Sequence, residues 1–206
     1  MTPPALTVLR DLVPVRPLSQ LEALRIAELQ ADRLLNLAEL KAPAVPDSLI
    51  EDLPKIEVRR LRPWPVSGCT DWAKSTWVIV LNAGEPYVRQ RFSLAHEFKH
   101  IVDHRVVTVI YPDLPWLSSQ RRAEAVCDYF AGCLLVPKKW LRAAWTSGMQ
   151  NESDLARLFN VSREAIRTRL SQTGLVAPTP RCQGRPERYQ RLAGATPTQL
   201  ILEIAA

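Results

Sequence analysis

Histidine, cysteine and glycine are scarce in this chain of 206 residues, and no apolar run is long enough to cross a bilayer. The longest strong run, Trp77-Val78-Ile79-Val80-Leu81, falls far short of the roughly 20 residues a membrane helix needs. The N-terminal stretch is broken by Pro3, Pro4, Arg10 and Asp11, so it lacks the apolar core of a secretory leader. The four cysteines (Cys69, Cys127, Cys133 and Cys182) include no CxxC pair, and Cys127 and Cys133 stand six apart on an expected helix, out of each other's reach. That argues against a disulfide framework and for reduced thiols in a cytoplasmic protein with no membrane contact. No internal repeat is present.

What the chain does have is an ordinary globular balance. At 47% hydrophobic and 23% charged, it can bury a core without help from disulfides. The net charge of +6 permits a nucleic acid or an acidic partner, but the charges are dispersed, so charge alone selects neither.

The periodicities predict an α+β fold. Residues 1–18 read as extended or disordered. Ser19 then caps a long helix over about 20–40, whose stripe is Leu24, Ala27, Ala31, Leu34, Leu35 and Ala38. Strand-like runs follow around Ile56 to Leu61, Gly68 to Trp72 and Trp77 to Leu81, taken as a small antiparallel three-stranded sheet. Helices are expected from Pro86 to about Asp103, over 118–135 and over 138–147. Two short helices should occupy 149–175, before an irregular, proline-bearing tail over 176–206.

The chemistry concentrates in His96-Glu97-Phe98-Lys99-His100. Positions four apart share a helix face, so both imidazoles can reach one metal ion. Glu97 is rotated about 100° from His96, which places its carboxylate beside the ion as a proton acceptor for an acidified water. That is the HExxH arrangement of zinc peptidases. A third protein ligand is needed. His104 lies about 12 Å along the axis from His96, too far to converge, so a carboxylate remains. Glu124 and Asp128 stand four apart on the next long helix; Glu124 suits the metal, and Asp128 suits the free ring nitrogen of a ligating histidine.

These residues resemble a known family. The run Arg91-Phe92-Ser93-Leu94-Ala95-His96-Glu97-Phe98-Lys99-His100, followed by Glu124, Asp128, Phe130, Ala131, Leu134, Leu135 and Pro137, is similar to the paired motifs of the ImmA/IrrE metallopeptidases. One departure is Lys99, where many members carry glycine. The resemblance implies a mainly helical, zincin-like peptidase domain over 19–148, a Zn2+ cofactor and peptide-bond hydrolysis. Tyr111, Tyr129 and His104 are the candidates for stabilising the oxyanion. The substrate implied is a helix-turn-helix transcriptional repressor, in a stress or mobile-element circuit.

Residues 152–171, ESDLARLFNVSREAIRTRLS, have helix-turn-helix spacing, with Asn160 in the turn and Ser162 as cap. Arg163, Arg167 and Arg169 would suit phosphate contacts, so direct DNA binding is one reading; docking of a repressor, or a scaffold role, is the favoured one. The rival to the enzyme as a whole is a non-catalytic regulator or antitoxin-like module with a structural zinc. Gly68 to Asp71 reads equally as a plain hairpin strand or as an edge that holds an extended substrate.

Overall fold

The structure, a computed structural model, describes residues 4–114 and 117–176. Nine helices and three strands are found among them: α1 (Ala5–Arg10), α2 (Gln20–Leu37), α3 (Ser48–Glu51), β1 (Ile56–Leu61), β2 (Gly68–Ala73), β3 (Thr76–Asn82), α4 (Tyr87–Asp103), α5 (Val107–Ile110), α6 (Ser119–Leu135), α7 (Lys138–Thr146), α8 (Glu152–Phe159) and α9 (Arg163–Gln172). None of these helices is long and apolar enough to cross a membrane. The expected tail lies outside the described residues, apart from Val176.

The architecture is α+β, with one layer of sheet and the helices stacked behind it. β3 is the central strand, and both its faces are covered, which is why its sequence is a continuous apolar run rather than an alternating one. Trp77, Ile79 and Leu81 join the main core with Leu94, Phe98 and Ile101 of α4; Val78 and Val80 close a smaller cluster with Trp64 and Cys69. Behind α4 lies α6, through Val126 and Phe130, and behind that α2. The buried alanines of α2 (Ala23, Ala27 and Ala31) let its backbone approach closely. A full capping box holds the start of α2: Ser19 Oγ accepts from Glu22 N (3.2 Å), and Glu22 Oε2 accepts from Ser19 N (2.9 Å).

Two expectations are corrected here. The sheet is mixed, not antiparallel: its order is β1-β3-β2, with β1 parallel and β2 antiparallel to β3. The connection over 62–67, anchored by buried Trp64, carries the chain past the site of β3 to its far edge. The hairpin at Lys74 and Ser75, both at positive φ (48° and 64°), then folds β3 back between its predecessors. Nor is the N-terminal region wholly extended. Pro4 opens α1, where a missing N–H costs nothing, and Leu9 is fully buried in the main core.

α8 and α9 are joined through Asn160, at φ 53° and ψ 53°, and Ser162 Oγ caps α9 by accepting from Ala165 N. The pair is fastened to the start of α4 by one side chain. Arg91, 2% exposed, donates to Phe159 O (3.2 Å), Asn160 O (2.5 Å), Asp47 Oδ1 (2.9 Å) and Val45 O.

Candidate active site

α4 and α6 pack side by side and bring the two halves of the sequence motif together. His96 Nε2 lies 3.2 Å from His100 Nε2 and 3.2 Å from Glu124 Oε2; His100 Nε2 lies 3.5 Å from Glu124 Oε1. Around a tetrahedral ion with bonds of about 2.0–2.1 Å, neighbouring ligand atoms are about 3.3 Å apart. The donor set therefore fits a zinc-sized ion with little rearrangement. Its chemistry fits as well: two imidazoles and one carboxylate suit zinc.

The protonation pattern is set by the neighbours. A carboxylate only accepts, so the 2.9 Å contact between His96 Nδ1 and Asp128 Oδ1 fixes the proton on Nδ1 and turns Nε2 towards the cluster. Burial opposes a charge on His96, but the bonds to Asp128 and Glu124 outweigh it and push its pKa up to about 9. His100 is lowered, first by burial and then by neighbouring His96. Glu124 is lowered chiefly by its bond to His96. A metal bound through His96 would then have to displace a proton from it throughout the neutral range. Apparent zinc affinity is expected to rise about tenfold per pH unit from pH 6 towards 9, measured by competition with a chromophoric chelator. In the same assay Asp128→Ala is expected to weaken affinity about 10–100-fold, through loss of the ring's orientation.

A further potential donor escaped the sequence reading. Cys127 places its sulfur within 4.8 Å of a ring nitrogen of both His96 and His100. It stands three residues after Glu124, so helix spacing was the signal that could have found it. Burial, however, holds its thiol well above the ordinary range, whereas Glu124 is an ionised carboxylate facing the same two nitrogens. Glu124 is the better third donor on both counts.

Glu97 sits between this cluster and β2. Its Oε2 accepts from Thr70 Oγ1 at 2.8 Å, and the space beside its other oxygen exists because residue 68 is glycine. A Cβ there would meet Glu97 Cγ at 3.1 Å and Oε1 at 3.2 Å. Thr70 and Gly68 thus fix the carboxylate's position from the facing strand. The sequence marked this stretch equally as a plain hairpin strand or a substrate-holding edge, without the contact.

The three candidates for the oxyanion have different surroundings. Tyr111 is 1% exposed, and its hydroxyl donates to Asp103 Oδ2 at 2.7 Å inside the core, so it is withdrawn. Tyr129 lies five residues past Glu124, about 140° around the helix, and its ring faces the Arg169 guanidinium at 5.5 Å. His104 follows α4 and packs its ring against Trp77 at 4.7 Å. Lys99, the departure from the family pattern, is 1% exposed and buried in a network of its own: its ammonium bonds Asp103 Oδ1 (2.5 Å) and Gln30 Oε1 (2.7 Å).

The three arginines of α9 do not share one fate. Arg169 is 1% exposed and donates to Val136 O, which corrects its expected phosphate contact. Arg167 is exposed but paired with Glu152 (2.8 Å) and Glu164 (3.4 Å).

Comparison with solved structures finds a Mycobacterium tuberculosis transcriptional regulator with a TM-score of 0.58 at 20% identity. The match covers 88% of this chain and 55% of that one, so the chain spans little more than half the length of that protein, and the likeness is one of fold. No curated protein matches the sequence. The family profile described as Peptidase_M78, the IrrE N-terminal-like domain, matches residues 49–171. A match over more than half of its length places the chain: it belongs to the IrrE N-terminal-like family of metallopeptidases.

Proposed function

We propose that this protein is a zinc-dependent endopeptidase with His96, His100 and Glu124 as metal ligands, Asp128 as the support of His96, and Glu97 as general base. The observation that carries the reading is the convergence of His96 Nε2, His100 Nε2 and the Glu124 carboxylate, with Glu97 held beside them by Thr70. When bound, zinc supplies polarisation of the scissile carbonyl and acidification of the attacking water. Glu97 takes the proton from that water and delivers it to the leaving amide nitrogen. Thr70 keeps one carboxylate oxygen occupied, so the proton is handled by the other, in the space Gly68 leaves open. Among the described residues β2 has an unpaired edge next to this carboxylate, which suits an extended peptide held by backbone hydrogen bonds.

The substrate proposed is a helix-turn-helix repressor whose cleavage relieves repression, in the cytoplasm. The support is the family membership and the similarity of fold to a transcriptional regulator. Direct DNA binding through α9 is the weaker reading, because Arg169 is buried and Arg167 is neutralised by two glutamates. The test is incubation of the zinc-loaded protein with the repressor encoded nearest to it, read by mass spectrometry. Discrete fragments that disappear with chelator support the proposal; an intact repressor in the presence of bound zinc overturns this choice of substrate.

A further inference from the structure

We propose that Trp72, Trp77 and His104 form an aromatic subsite that selects an aromatic or large aliphatic side chain about two residues from the cleaved bond. This rests on the endopeptidase reading and names the kind of peptide it selects.

Among the described residues β2 pairs with β3 on one side only, and its other edge is open. Alternation along a strand puts Gly68, Thr70 and Trp72 on one face, and the first two meet Glu97. α4 lies under that same face. Glu97 stands at the Gly68 and Thr70 end, and His104, seven residues on and about 10 Å further along the axis, stands at the Trp77 end. From Thr70 to Trp72 is about 7 Å of strand. A peptide laid along this edge over Glu97 therefore runs directly to the aromatic cluster.

The cluster is built for such a neighbour. Trp72 meets Trp77, its cross-strand partner, edge-on at 5.0 Å and 61°, and Trp77 meets His104 at 4.7 Å and 72°. Trp77 is buried, but Trp72 remains 47% exposed. An added antiparallel strand would set the side chain opposite Trp72 on the same face, against the free side of its indole. Aromatic and β-branched or large aliphatic partners gain most there; charged ones gain least.

The test uses zinc-loaded wild type, Trp72→Ala and Trp72→Phe with a quenched-fluorescence decapeptide library scanned one fixed residue at a time. Binding of the same peptides to the Glu97→Gln protein is followed by anisotropy. The wild type is expected to prefer Phe, Tyr, Trp or Leu at one position two residues from the cut. Trp72→Ala should lose that preference by on the order of fivefold, in KM rather than kcat, and Trp72→Phe should retain most of it. If the wild type cuts and Trp72→Ala keeps the same side-chain profile, the subsite is overturned and the peptidase reading stands. If nothing is cut but aromatic peptides still bind in a Trp72-dependent way, the subsite stands and the peptidase reading falls. If peptides neither bind nor are cut, both fall.

Discussion

Glu97→Gln is expected to remove peptide hydrolysis, lowering kcat by about 10²–10⁴-fold or more, while the protein keeps its fold and its metal. The substitution is nearly isosteric, and an amide can still accept the hydrogen bond that Thr70 Oγ1 donates at 2.8 Å. It cannot accept a proton from water at neutral pH. His96, His100 and Glu124 are untouched, so elemental analysis should find zinc at wild-type stoichiometry and thermal unfolding should be unchanged within a few degrees. This separates the enzyme from a regulator that keeps zinc for structure. If Glu97→Gln still relieves repression, and His96→Ala loses that activity only through unfolding, the catalytic reading is wrong.

The largest effect on stability is expected at Asp103. Lys99 and Asp103 are 1% and 2% exposed, and their 2.5 Å ion pair is completed by Gln30 on one side and the Tyr111 hydroxyl on the other. Gln30 in turn donates to Leu9 O at 2.9 Å, tying α1 and α2 to α4. Asp103→Ala leaves an ammonium buried without a counter-charge and a phenol without its acceptor. The cost expected is about 3–5 kcal/mol, read by urea denaturation, with a fall in Tm of roughly 10 °C or more. The double substitution Lys99→Met with Asp103→Leu removes both charges at similar volume and should recover most of the loss. A cost under about 1 kcal/mol for Asp103→Ala would show that the pair contributes little to holding α4, and with it the turn that carries His100.

What could be read from the sequence follows a physical divide. His96 and His100, and again Glu124 and Asp128, are legible because one helix fixes their relative positions: four residues make one shared face whatever the rest of the chain does. That α4 and α6 meet with these faces opposed is a tertiary fact; the need for a third ligand pointed to it, and the family resemblance strengthened it. The contacts of Thr70 and Gly68 with Glu97 were missed because they depend on β2 packing against α4, whereas Cys127, three residues after Glu124, was within reach of helix spacing. The sheet was misread because its order, too, is a tertiary fact. Three successive strand signals suggest a meander, and nothing in residues 62–67 announces that the chain crosses over before turning back. Lys99 stood out in the sequence only as a departure from the family's glycine; its burial depends on Gln30 of α2 and on Asp103, one turn further along α4. Tyr129 is different. Its position five residues beyond Glu124 already turns it away from the metal-facing side, and helix arithmetic alone could have removed it.

The Arg91 contacts decide where this protein can be divided for study. Along the chain, residue 149 resembles a seam between modules. In space there is no seam, because a guanidinium rooted in α4 has its acceptors Phe159 O and Asn160 O beyond it. Trimming the chain at 149 would leave a buried cation short of two partners, one turn from His96. Swapping this C-terminal unit between relatives should succeed only where the donor brings the same backbone turn to the same arginine.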